Sequence, residues 1–155
     1  MKELEKFEDI LAHITRIIVK AFELEKIPRD FGTGDLLYHS EIHTVHAIGS
    51  NPGMNITQLA AMLGVTKGAI SQVVSKLSQK GLVDRYKEPK NKKQVLLALT
   101  PKGQNAYAGH IEYHKKIGDA FFTEVGAMTD EQLAFLNLFF GKFETFIDRH
   151  LSNEK

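Results

Sequence analysis

Residues 55–81, NITQLAAMLGVTKGAISQVVSKLSQKG, constrain this chain more than any other stretch. They describe two short helices joined by a tight turn. Asn55 is placed to cap the first helix, with Gln58 three residues on, the spacing of a capping box. Leu59, Ala60 and Leu63 form an apolar stripe at helical steps. Gly64 ends that helix, because glycine takes the left-handed end position without a steric penalty. Thr66 caps the next helix, Ile70, Val73, Val74 and Leu77 share its inner face, and Gly81 closes it. The opposite face carries Lys67, Gly68, Ser71, Gln72, Ser75 and Lys76: cations, hydroxyls and an amide with no acid among them. Exposed helices normally mix both signs. A helix laid in a DNA major groove accounts for the bias, since lysine meets phosphate or guanine, glutamine pairs with adenine, and small residues permit close approach. An ordinary helical hairpin with a solvated face is the competing reading, so the residues that follow matter.

After Gly81, Leu82–Tyr86 has the pattern of a short strand, Glu88–Lys93 (EPKNKK) of a polar tip, and Val95–Leu99 of a returning strand. A β-hairpin with a basic tip directly after the second helix is a wing, able to reach the minor groove or flanking phosphates. A plain helical hairpin has no reason to carry it. Charge is distributed accordingly. Between Thr66 and Lys93 there are eight basic and two acidic residues, a net +6, which leaves −5 for the rest of a chain whose total is +1. The chain-wide balance says little, but the local one marks a surface for a polyanion. The expected DNA-contacting residues are Thr66, Lys67, Gly68, Ser71, Gln72, Ser75, Lys76, Arg85, Lys90, Asn91, Lys92 and Lys93.

Elsewhere the pattern is helical. Leu4 to about Leu24 repeats apolar residues at steps of three and four. Ile27–Asp35, with a proline and two glycines, is expected as a loop. His39–Gly49 is a second helix with Ile42, Val45 and Ile48 inward, followed by a turn at Asn51-Pro52-Gly53. Thr100-Pro101 opens a helix to about Val125. Gly126 interrupts it, and Thr129 with Gln132 forms a capping box for a last helix to about His150. That helix carries Leu133, Leu136, Phe139, Phe140, Phe143, Phe146 and Ile147, a stripe suited to a core or a subunit interface. Apolar helices at both ends lack a third partner, and a second copy would cover them.

A length of 155 residues suits one domain, and the hydrophobic fraction of 43% suits a soluble core. The absence of cysteine excludes disulfides, thiolate sensing and cysteine zinc sites. The N-terminus, MKELEKFEDI, is charged and amphipathic, so no signal peptide is expected; no apolar run spans a bilayer, and the cytoplasm is the default location. No nucleophile elbow, phosphate loop or HExxH pattern is present, which argues against an enzyme. A winged-helix module for protein contacts, the alternative class, predicts an apolar or acidic reading face, unlike this one.

The order of elements and the residues at their joints resemble the MarR family of transcription regulators, most strongly from Ser40 to Gly103. The matching stretches are Leu59-Ala60 with Leu63-Gly64-Val65, Gly68-Ala69-Ile70-Ser71, Leu77 with Lys80-Gly81-Leu82-Val83, and Leu99-Thr100-Pro101-Lys102-Gly103. The resemblance implies a mainly α fold with a small β-hairpin wing. A winged helix-turn-helix DNA-binding lobe (36–100) would join a helical dimerisation region (1–35 and 101–155) in a single MarR-like domain, 1–155. It further implies a homodimer on a pseudo-palindromic operator, usually a repressor, released in many relatives by a small-molecule effector. The family's wing usually carries Asp-x-Arg. Here Asn91-Lys92-Lys93 keeps the charge without the flat guanidinium fork, which shifts wing contacts toward phosphate.

Seven histidines are the remaining signal. His39, His43 and His46 lie at i, i+4 and i+7 on the second helix, and His110 and His114 at i, i+4 on the helix after the wing. Adjacent turns bring two imidazoles together, as metal chelation needs. A zinc-sensing branch of the MarR family uses one histidine of the second helix and a His-x-x-x-His pair of the fifth, and His43, His110 and His114 match those positions. Its carboxylate ligand lies where Glu23 and Glu25 stand here, whereas its cysteine has no counterpart. The alternative is that these histidines are packing groups between helices, responsive at most to pH.

Overall fold

The computed structural model describes residues 2–88 and 91–153, with side chains placed for 7–87 and 94–153. The elements in chain order are α1 (Lys2–Glu25), β1 (Arg29–Asp30), β2 (Leu36–Leu37), α2 (His39–Ser50), α3 (Ile56–Met62), α4 (Lys67–Gln79), β3 (Val83–Glu88), β4 (Asn91–Leu99), α5 (Pro101–Val125) and α6 (Asp130–Asn153). The fold is mainly helical with a small antiparallel hairpin, as the sequence implies. The chain forms two compact units, Met1–His114 and Lys115–Lys155.

The first unit holds the core. Ile42, Val45 and Ile48 of α2 meet Leu59 of α3, Ile70, Val74 and Leu77 of α4, and Leu97 of β4. Each such side chain contributes roughly 1.5–3 kcal/mol through burial. Local signals set the boundaries. Asn55 Oδ1 accepts from the Gln58 backbone N–H at 3.0 Å while Gln58 Oε1 accepts from the Asn55 N–H at 3.0 Å, so both orphan donors at the start of α3 are satisfied. Gly64, at φ +66°, turns the chain out of α3. Thr66 Oγ1 then accepts from the Ala69 N–H to start α4. Thr100 Oγ1 accepts from the Gly103 N–H to start α5.

Two details of the sequence reading change. The segment 27–35 is not simply a loop: Arg29 and Asp30 pair antiparallel with Leu37 and Leu36. The closing turn is built by Asp30, whose Oδ1 accepts from the N–H groups of Gly32, Thr33 and Gly34 at 2.8, 2.8 and 3.1 Å. These three bonds favour the ionised carboxyl and hold it below the usual carboxylate range. The wing is also longer than its apolar pattern. β3 runs through Glu88 and β4 begins at Asn91, with Glu88 opposite Asn91 beyond a register shift after Tyr86. The ladder is made by backbone groups, so it continues into residues whose side chains carry no β pattern. Asn91, Lys92 and Lys93 therefore belong to a strand rather than to the tip.

The ends of α2 and α4 are joined by an ion pair. Glu41 is only 4% exposed. Its two oxygens accept from Lys80 Nζ at 2.8 and 2.9 Å, and Oε2 also accepts from the Tyr38 N–H that precedes α2. Lys80 Nζ also donates to the Leu36 carbonyl. Lys102 donates to the Lys80 carbonyl and pairs with Asp35 at 2.7 Å.

The second unit contains the end of α5, Gly126 and α6. Thr129 and Gln132 form their expected reciprocal cap. No residue of α6 is buried, and Phe135 is 64% exposed. The aromatic stripe is thus not a core within this chain. α1, in the first unit, is likewise open, with Ile17 64% exposed.

Removing Lys80 strands the buried carboxylate of Glu41. Lys80→Met is expected to cost on the order of 3 kcal/mol in urea unfolding, and Glu41→Leu combined with Lys80→Met to recover most of that loss. A single variant as stable as the parent would contradict the assignment.

Candidate nucleic-acid interface and histidine cluster

The outer face of α4 is assembled as its spacing requires. Lys67, Gly68, Gln72 and Lys76 are exposed, and Ser71 and Ser75 are half-buried beside them. A side chain added at Gly68 would meet open space, so the helix start is free for close approach by another molecule. Thr66 is exposed, with its oxygen engaged as the α4 cap and its O–H left to donate. Arg85, on β3, reaches across to α4 and donates from Nη2 to Ser75 Oγ at 2.9 Å. This contact joins the wing to the helix face and was not legible in the sequence. Lys90 and the side chains of Asn91, Lys92 and Lys93 lie outside the described residues. The positive balance of this region is smaller than the sequence count, because Lys80 is matched by Glu41 from α2.

The histidines converge between α2 and α5. Donor nitrogens of His43, His110 and His114 all lie within 4.8 Å of one another. His110 Nε2 is 2.9 Å from His114 Nε2, and His110 Nδ1 is 3.3 Å from His46 Nδ1. His39 lies against His43 with ring centroids 4.0 Å apart and the rings tilted by 39°. His39 Nε2 is 3.4 Å from Glu25 Oε1, while Glu23 pairs with Lys26. Of the two carboxylates that sequence left open, Glu25 is therefore the one joined to the cluster. His46 and His39 enlarge the expected three-residue group to five. Their signal was present in the i, i+4, i+7 spacing, but its reach to α5 depends on tertiary packing.

α5 is held against this cluster by the β1–β2 turn. Phe31 packs edge-on against His110 and Tyr113, with centroids 5.6 and 5.7 Å away. A Cβ on Gly109 would collide with the Phe31 carbonyl oxygen, so glycine permits that approach. His110 is 3% exposed. Burial, reinforced by His114, His43, His46 and His39, pushes its pKa down to about 4. His43 is also lowered, first by burial and then by the neighbouring imidazoles, against a smaller opposing effect of Glu25. Both therefore favour the neutral form, which has a nitrogen lone pair to offer a metal ion. Three imidazoles on two helices are a donor set that suits zinc and related transition-metal ions, with Glu25 outside it beside His39.

Among the described residues, no helix is long and apolar enough to cross a membrane. The sequence profile of the MarR family matches residues 37–95. The uncharacterised HTH-type transcriptional regulator YhjH of Bacillus subtilis is 32% identical over 126 residues, which is 79% of this chain and 72% of that protein. The crystal structure of Streptococcus pneumoniae FabT in complex with DNA has a TM-score of 0.74 at 23% identity, covering 92% of this chain and 98% of FabT. Lactococcus lactis ZitR, a zinc-responsive MarR family member, has a TM-score of 0.73 at 15% identity, covering 91% and 99%.

The pH dependence of metal-free protein follows from His110. Its folded pKa lies below the ordinary histidine value of 6.5. The unfolded chain thus binds the extra proton first as pH falls. The resulting stability is present above about pH 6.5 and is lost as pH drops toward 4, at up to about 1.4 kcal/mol per pH unit. Urea midpoints between pH 7 and 5 should fall accordingly, and less steeply in His110→Asn. Equal slopes in both proteins would contradict this.

Proposed function

The chain belongs to the MarR family of winged-helix transcription regulators, and on that premise we propose that it acts as a homodimeric repressor on a pseudo-palindromic operator. The observation that carries this reading is the acid-free outer face of α4 beside the β3–β4 wing. In this proposal Ser71 and Gln72 read base edges in the major groove. Thr66, Lys67, Ser75, Lys76 and Arg85 fix the helix on the backbone, Gly68 permits close approach, and Lys90, Asn91, Lys92 and Lys93 supply wing contacts, chiefly to phosphate. Arg85 has a second task, since its bond to Ser75 holds the wing against the helix. The dimerisation region comprises 1–35 and 101–155, whose exposed apolar helices α1 and α6 give a second copy something to bury. The two α4 helices would then lie about one DNA turn, roughly 34 Å, apart. A small-molecule effector fits the same scheme, and the cytoplasm is its natural compartment.

The regulatory ligand we propose is a divalent metal ion, zinc foremost, held by His43, His110 and His114 with Glu25 as the adjacent carboxylate. Support comes from the convergence of three donor nitrogens and from the neutral state favoured at His110 and His43. Metal there would tie α2 to α5 and change operator affinity.

Three outcomes test these readings. Gln72→Ala should cost roughly 1–3 kcal/mol on an operator selected from random duplexes and little on random DNA; equal loss on both would assign Gln72 to non-specific binding. Sedimentation at micromolar concentration should give a dimer, and a folded monomer would remove the assembly. Metal-free protein should take up zinc at micromolar concentration with a change in operator binding, and His110→Ala with His114→Ala should abolish the uptake. No uptake by the parent would leave the histidines as packing groups.

A further inference from the structure

His46 is not one of the three converging donors but touches one of them, and its surroundings are specific. Its Nδ1 lies 3.3 Å from His110 Nδ1. Its ring lies against that of Tyr107, with centroids 5.2 Å apart at 35°. Tyr107 packs on the core, and its hydroxyl lies 3.3 Å from Ser50 Oγ. His46 is thus wedged between a fixed aromatic ring and the buried imidazole of α5.

An imidazole–imidazole contact requires one N–H donor and one lone pair. Two arrangements satisfy the distance. In one, His110 carries its proton on Nδ1 and donates to His46, leaving its Nε2 lone pair toward His114. In the other, His46 donates, and the His110 proton sits on Nε2, where an ion would have to bind. Metal-bound histidines generally donate their second N–H to an acceptor, which fixes tautomer and ring orientation and raises ligand basicity. We infer that His46 is the positioning residue for His110: it accepts the Nδ1–H and so presents the Nε2 lone pair to a divalent metal ion shared with His43 and His114. An imidazole here fills the place commonly taken by a carboxylate or a backbone carbonyl. This inference rests on the metal reading above.

The test uses full-length protein and zinc alone. His46→Phe keeps a ring against Tyr107 but has no acceptor; His46→Gln keeps an acceptor. In competition with a chromogenic chelator, His46→Phe should bind zinc about 10–100-fold more weakly, and His46→Gln should recover part of the loss. Nitrogen-15 NMR of the wild-type imidazoles should place the His110 proton on Nδ1, both without metal and with zinc. That measurement needs no variant, so it decides the matter even if His46→Phe folds poorly. A proton on His110 Nε2 in the metal-free protein, or full zinc affinity in a folded His46→Phe, would overturn the role of His46 while leaving the metal reading standing. Failure of the wild type to take up zinc would remove both.

Discussion

The carboxylate of Glu41 is the constraint on which the arrangement of helices depends. A charge this deeply buried has to be matched, and no local group does it: the match comes from Lys80, 39 positions away in sequence. Because the same carboxylate accepts from the N–H of Tyr38, one side chain fixes the start of α2 and the end of α4 together. Lys80 also stands at the C-terminal end of α4, where a cation is favoured by the helix dipole. Lys102 at the start of α5 closes the same junction through the Lys80 carbonyl and Asp35. The histidine-bearing helix and the helix with the acid-free face are therefore joined by charge as well as by packing.

How much of this was legible depended on distance along the chain. Caps and turns are local, and Asn55 with Gln58, Gly64, Thr66, Thr100 and Thr129 were readable because each acts on a backbone group within five residues. The strands β1 and β2 were invisible because two residues have no period, and the extension of the wing was invisible because its ladder is a backbone property. The Glu41–Lys80 pair and the Arg85–Ser75 bond belong to tertiary structure, where residue type alone does not choose a partner. The histidines fall between these cases. Their helical spacing placed His39, His43 and His46 on one face, while only the packing of α2 against α5 showed that His46 meets the far side of His110.

The cluster is costly as a packing device alone. Five imidazoles linked in a chain of ring contacts repel when protonated, and burial already disfavours the charged form of His110. Apolar side chains at the same positions would fill the space without either penalty. Under the metal proposal, the lone pairs favoured at His43 and His110 would gain from a cation part of what burial costs them. In that proposal the i, i+4 spacing on α5 and the approach of Phe31 to Gly109 would both serve to hold His110 in one orientation.

The apolar faces of α1 and α6 complete the physical picture. α6 has no fully buried residue, and its stacked Phe139 and Phe143 are only half-buried within this chain. A second copy is the partner proposed above, and the DNA side gives the same proposal a second motive. One α4 of 13 residues offers few side chains to base edges, so a single copy discriminates weakly. Joining two copies makes the second half-site encounter intramolecular, with an effective concentration set by the geometry of the pair. That gain is available only if each α4 is held rigidly within its own copy, because play in the helix would spread the half-site spacing. The buried ion pair at the end of α4 and the Arg85 bond along its flank supply that rigidity. Stability within the copy and association between copies are thus complementary requirements of the proposed two-site reader.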